Sequence, residues 1–214
     1  MFTPSAFREK DTARLHEILA THPFATLLVP QASDQSPLVS HIPLLHDPAS
    51  NELQGHVAKV NPIGRVTEPV RALAIFHGPN AYVSPSWYET KGTTHKVVPT
   101  WNYIAVHVHG TMHVVKDPAW IVANVSNLTD KMERTMETPW KVTDAPPEYI
   151  NLLSKSIVGI RFEIESIESQ FKLSQNKQAG DFFGVIQGMR ATEGIAGEPD
   201  VAAWMERVQD EIRK

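Results

Sequence analysis

"YIAVHVHGTMHVV" (103–115) decides the fold class. Ile104, Val106, Val108, Met112 and Val114 point one way, with Gly110 interrupting the set. Tyr103, Ala105, His107, His109, Thr111, His113 and Val115 point the other. Alternation of this length marks a strand with one face in a core and one more polar face. Val158, Ile160, Phe162 and Ile164 repeat it against Arg161, Glu163 and Glu165. Strands of a parallel sheet are buried on both faces and read as continuous apolar runs, so this sheet is expected to be antiparallel.

Working outward, "FATLLV" (24–29), "PLVSHIPLL" (37–45), "ELQGHVA" (52–58) and "VRALAIFHG" (70–78) read as further strands. Gly78-Pro79-Asn80 is a turn signal, after which "AYVS" resumes extended structure. "NPIGR" (61–65) reads as a turn or short helix. Leu15, Ile18 and Leu19 at helical spacing predict a first helix that ends before Pro23. Ile121, Val125, Leu128 and Met132 make a second stripe, and "PPEYINLLSK" a shorter helix. Val201, Trp204, Met205, Val208 and Ile212 make a C-terminal stripe that Pro199 opens. About six to eight strands with peripheral helices predict an α+β fold built on a small antiparallel β-barrel. No repeat or low-complexity linker breaks the chain. The expected organisation is one barrel domain over 1–180, with a C-terminal helical extension over 181–214 packed on it.

Composition narrows the function classes. With 42% hydrophobic and 21% charged residues in 214, the chain has ordinary globular usage. It has no cysteine, which removes disulfides, thiolate nucleophiles and Cys-ligated zinc and is compatible with a reducing cytoplasm. The opening "MFTPSAFREKDTARLHEIL" has charges where a signal peptide needs an apolar core, and no apolar run approaches the ~20 residues of a membrane span. The formal net charge of −4 supplies no global basic field for DNA, which argues against direct DNA binding. Dinucleotide, P-loop, nucleophile-elbow and H-E-x-x-H signatures are missing from the sequence.

Three segments carry candidate chemistry. "YVSPSWYETKGTTHKVVPTWNY" (82–103) crowds Tyr82, Trp87, Tyr88, Trp101 and Tyr103 among Ser84, Ser86, Thr100 and Asn102. Flat apolar faces beside placed donors and acceptors suit a planar heteroaromatic ligand, and equally suit the capped end of a barrel core. "GHVAKVNP" (55–62) sets His56 on a strand that turns at Asn61-Pro62, close to Lys59 and Arg65. It reads either as an ordinary strand end or as a phosphate approach through free N–H groups. "KLSQN" (172–176) offers Lys172, Gln175 and Asn176 for a phosphate or ring carbonyl, or is only a polar strand end. His107 and His109 form an H-x-H pair whose third metal ligand would have to come from His41, His56, His77 or His95. A polar sheet face or subunit contact accounts for the same pair.

"MFTPSAF", "GHVAKVNP", "FHGPNAYVSPSWY", "VPTWNY", "VHVHG" and "KLSQN", in this order from residue 1 to about residue 190, resemble the PaiB family, the FMN-binding negative transcriptional regulators. The resemblance implies a split β-barrel of the pyridoxamine-phosphate-oxidase and flavin-reductase kind. It also implies a homodimer with FMN at the subunit interface. On this reading the cofactor contacts are His56, Lys59, Asn61, Tyr82, Ser84, Trp87, Trp101, Asn102, Lys172, Gln175 and Asn176. Lys59 stands where the family often has Arg, keeping the charge without the bidentate fork. The implied function is negative regulation of transcription, by an indirect or flavin-linked route given the charge balance. The alternatives are a flavin-dependent oxidoreductase or flavin reductase, and a haem- or metal-binding split barrel. No residue stands out as a committed acid or base, although His56 and His107 are available.

Overall fold

The computed structural model describes residues 1–31, 36–194 and 199–212. Seven strands lie among them: β1 (Phe24–Val29), β2 (Leu38–Pro43), β3 (Leu45–Asp47), β4 (Glu52–Ala58), β5 (Val70–Val83), β6 (Thr100–Val115) and β7 (Ile157–Lys172). They form one sheet in the order β2-β1-β5-β6-β7-β4-β3. The pairings β1–β2, β1–β5, β3–β4 and β4–β7 are antiparallel, the last running from Glu52↔Glu163 to Ala58↔Ile157. The helices are α1 (Thr12–Thr21), α2 (Lys91–Thr94), α3 (Pro118–Glu133), α4 (Pro147–Ser154), α5 (Ala179–Ala191) and α6 (Pro199–Ile212). The α+β antiparallel class is as expected. Among the described residues, no helix is long and apolar enough to cross a membrane.

Two details depart from the sequence reading. Gly78-Pro79-Asn80 does not turn the chain, because β5 runs straight through it. Burial falls on even positions from Ala72 to Gly78 and resumes on odd positions at Ala81 and Val83. A one-residue phase slip of this kind is what a bulge produces, and proline is tolerated there because it has no N–H to offer a ladder. Residues 37–45 likewise do not form one strand. Leu44, fully buried, drops out of the ladder and donates its N–H to the Pro23 carbonyl at 2.8 Å, separating β2 from β3.

The chain divides into two units, a terminal one (Met1–Leu15, His77–Val106, Glu168–Lys214) and a central one (His16–Phe76, His107–Ile167). Ile18, Leu19, Leu27, Leu53, Phe76 and Phe162 are fully buried core residues of the central unit. Gly110 is buried there too, and it keeps the alternation of β6 intact. A Cβ on it would fall 2.0 Å from the Glu163 carbonyl oxygen and 2.5 Å from the Phe162 ring, so only glycine fits. In the terminal unit Phe171, Leu173, Phe182, Met189, Trp204 and Met205 are buried. There α5 lays Gly184 and Gly188 against the 85–89 segment: a Cβ on Gly184 would meet the Trp87 carbonyl oxygen at 2.0 Å, and one on Gly188 the indole ring at 2.2 Å.

Candidate functional site

The aromatic segment of the terminal unit is held from several sides. Ser84 accepts a hydrogen bond from Ser86 N (3.2 Å) and so caps the short 3-10 turn Pro85–Trp87, with proline at its first position. Thr90 donates its N–H and hydroxyl to the two oxygens of the buried Asp181 carboxylate (2.9 and 3.0 Å), tying the loop to α5. Trp87 is therefore a packing residue on Gly188. Tyr82 and Trp101 meet edge to face, ring centroids 6.3 Å apart, and the indole N–H of Trp101 donates to Asn80 Oδ1 at 3.2 Å. Trp101 keeps 37% of its surface exposed.

The end of β7 closes a ring of contacts with these aromatics. Lys172 donates from Nζ to Thr100 Oγ1 (2.6 Å) and to the Trp101 carbonyl oxygen. Neither acceptor is charged, and no carboxylate pairs with Lys172 among the described residues. Burial first, then the like charge of Lys177, hold its ammonium below the ordinary lysine pKa. Lys177 in turn sits 4.6 Å from the centre of the Tyr88 ring. The Tyr88 hydroxyl is buried and has no partner among the described residues. Burial, then Asp181 and Tyr82, raise the Tyr88 pKa. Tyr82, Trp101 and Lys172 touch in turn and Lys177 touches Tyr88, while charge alone links Lys172 to Lys177 and Tyr88 to Tyr82; this circuit holds two cations and an unpartnered phenol. A planar, anionic ligand fits this donor set: the rings offer faces, and a negative charge would relieve Lys172.

The remaining residues expected in this unit serve their own neighbours. Asn102, fully buried, accepts from Ser174 Oγ (3.1 Å) and donates to Met205 Sδ (3.4 Å). Gln175 folds back on its own turn, accepting from Leu173 N at 2.8 Å and donating to the Phe171 carbonyl. Ser174 takes the positive φ of that turn, 64°. Asn176 is exposed.

The second expected group lies in the central unit. Lys59 is exposed, and its backbone N–H donates to the Ser156 carbonyl at 2.8 Å. The Asn61 amide is committed at both ends, donating to Ser40 Oγ (2.9 Å) and accepting from Ile63 N (3.0 Å) as the cap of the 3-10 turn Pro62–Arg65. The Ile63 N–H is thereby used, which leaves that turn less to offer a phosphate. His56 is half-buried on β4, its pKa lowered by burial against an opposing contribution from Asn124. Asn124, buried on α3, escaped the sequence reading, although it falls three residues after Ile121 on the apolar face. That spacing was the available signal. On the polar face of β6, His107 and His109 are half-buried, and His113 Nε2 lies 3.2 Å from Glu163 Oε1.

Residues 1–166 match the family described as "Putative FMN-binding domain". The chain is 32% identical over 235 residues to "Uncharacterized protein AN0679" of Emericella nidulans, covering 92% of this chain and 94% of that protein. It is 27% identical over 217 residues to "Protease synthase and sporulation protein PAI 2" of Bacillus subtilis, covering 100% of this chain and 99% of that one. Among solved structures, the "FAD and Heme binding protein from Mycobacterium smegmatis" superposes with a TM-score of 0.58 at 16% identity, over 82% of this chain and 78% of that chain. The structural likeness bears on the fold alone, which is the split barrel expected from the sequence. By the match over 1–166 and by its relatives, this chain belongs to the FMN-binding domain family that includes the PaiB-like proteins.

Proposed function

We propose that the FMN of this family member is held along the Tyr82–Trp101–Lys172–Lys177–Tyr88 circuit, and that the holo-protein works as a homodimer that lowers transcription of target genes indirectly. The observation that carries the first part is Lys172. A half-buried ammonium that donates only to neutral oxygens, beside a second lysine, is an anion site waiting for its charge. Trp101 and Tyr82 supply ring faces, and Ser84, Asn102 and Gln175 brace the backbone around them. Trp87 and Asn176 complete that group. Of the other expected contacts, Lys59 and Asn61 are tested by their own substitutions, and His56 is left out of the flavin set because it lines an apolar cavity. FMN supplies one- and two-electron redox chemistry when bound, and the protein's share is orientation, charge and exclusion of water.

The indirect route rests on charge. With 20 basic against 24 acidic residues, phosphate neutralisation along DNA has little to draw on. The expected location is the cytoplasm. Titration of purified protein with FMN tests the cofactor site, with quenching of the free flavin as readout. A gel shift at low salt with the protein's own upstream DNA tests the route: no shift is expected, together with a change in transcript level when the gene is deleted. The dimer is read by sedimentation. Multiple-turnover bleaching of bound FMN by NADH or NADPH would instead assign a flavin-dependent oxidoreductase.

A further inference from the structure

Val122 and Val125 of α3, Trp140, Leu153 of α4 and Ile157 of β7 enclose a cavity of about 340 Å³ in the central unit. The imidazole of His56 enters its otherwise apolar wall from β4. Ser154 and Ser156 also border it, but each hydroxyl already donates to a backbone carbonyl, of Asn151 (3.1 Å) and Leu153 (2.6 Å). Asn124 stands beside His56 and is only 2% exposed. Neither end of its amide, nor Nδ1 of His56, makes a hydrogen bond of good geometry among the described residues. The two side chains still interact, since a hydrogen bond from Asn124 opposes the lowering of the His56 pKa that burial imposes.

A buried amide and imidazole whose one mutual hydrogen bond is loose leave polar capacity unmet, which is costly and uncommon in native proteins. Because His56 lines the apolar cavity, a molecule that enters it can supply a further partner to the imidazole. The lining contains no Lys, Arg, Asp or Glu, so an ionised ligand would lose its hydration without compensation. At the mouth Trp140, Leu153 and Tyr149 are 44%, 46% and 52% exposed, which gives an apolar approach from solvent. The volume falls at the small end of the ~300–1,000 Å³ typical of ligand pockets. We infer that this cavity binds an uncharged, mostly apolar molecule of about ring size that presents one hydroxyl, amide or carbonyl group to His56, whose imidazole Asn124 holds. Its ligand is opposite in electrostatic character to an anion held by Lys172.

Calorimetry on the full chain, with and without saturating FMN, tests this with 2-naphthol and naphthalene as probes. Saturable binding of 2-naphthol, one per chain, is expected to be unaffected by FMN and about two- to ten-fold tighter than that of naphthalene, the margin one hydrogen-bonding group provides. His56→Phe and, independently, Asn124→Leu should shrink that margin. Leu153→Trp at the exposed mouth should weaken both probes without changing the melting temperature. Absence of saturable 2-naphthol binding, equal affinity for the two probes, a margin preserved in both variants, or full competition by FMN would each overturn the inference. The last outcome would make the cavity part of the flavin site.

Discussion

The Lys172 circuit and the His56 cavity present a ligand with opposite terms. Each contains a basic side chain whose pKa is lowered chiefly by burial, but the next influence differs in sign. Lys177 pushes Lys172 further in the same direction, whereas Asn124 pulls His56 back. An anion would relieve the first site and would be unpaired in the second, whose lining carries no charged residue. Burial alone therefore does not specify a ligand's charge, whereas the charged side chains around the site do: Lys172 and Lys177 at the first, none in the lining of the second.

Lys172→Glu breaks the contrast most severely. It replaces a charge-assisted donor with a repelling carboxylate, and each charge-assisted hydrogen bond is worth about 1.5–3 kcal/mol, so FMN affinity is expected to fall by about 100-fold or more. Flavin fluorescence reads the loss, while 2-naphthol binding to the central cavity stays unchanged. Gly188→Ala comes next, as a test of the scaffold under the circuit. Its Cβ would fall 2.2 Å from the Trp87 ring, and overpacking of this kind costs about 1–3 kcal/mol. For a chain of this size, the melting temperature should drop by roughly 2–4 °C for each kcal/mol lost. A smaller change is expected from Trp101→Ala. Loss of one ring contact worth about 0.5–1.5 kcal/mol should weaken FMN by about three- to ten-fold, with little effect on melting because Trp101 is partly exposed.

The smallest expected effect belongs to the central unit and to pH. His46 and His56 both have folded pKa values below the ordinary 6.5, His46 through burial and then the charge of His16, whose ring lies 4.6 Å away. Below that pH the unfolded chain binds protons that the folded chain resists. Stability should be complete above about pH 6.5 and decline as pH falls through the folded values. Melting temperatures measured from about pH 7.5 down to about pH 5 read this slope. His46→Leu should flatten it, and an unaltered slope would remove His46 from the account.

The fold was more legible in the sequence than the site. Alternation in 103–115 and 157–165 announces half-buried antiparallel strands because a two-residue period has few other physical origins. The bulge at Pro79-Asn80 was hidden by the same residues that make turns elsewhere, and only the parity of burial distinguishes the two. Within the expected helical extension, "AGDFFGVIQGMRA" has glycine spacing that weakens helix propensity, yet those glycines let α5 approach Trp87. In the site, residue types pointed to an aromatic and cationic region, but not to who holds whom. Asn61, Ser84 and Gln175 carry the chemistry of ligands and spend it on caps and turns. Asn124 lies inside an apolar stripe, where its place beside His56 can be recognised only once its neighbours are in position.

The most direct measurement of the central claim is a pair of FMN titrations, wild type against Lys172→Met, on protein of matched melting temperature. Removing a half-buried ammonium that pairs with no carboxylate among the described residues relieves its desolvation and loses two hydrogen bonds to neutral oxygens, so stability should change little. The account predicts saturable binding of one FMN per wild-type chain, weakened at least about ten-fold by the substitution. Equal affinity in the two proteins, or no FMN binding by the wild type, would contradict it.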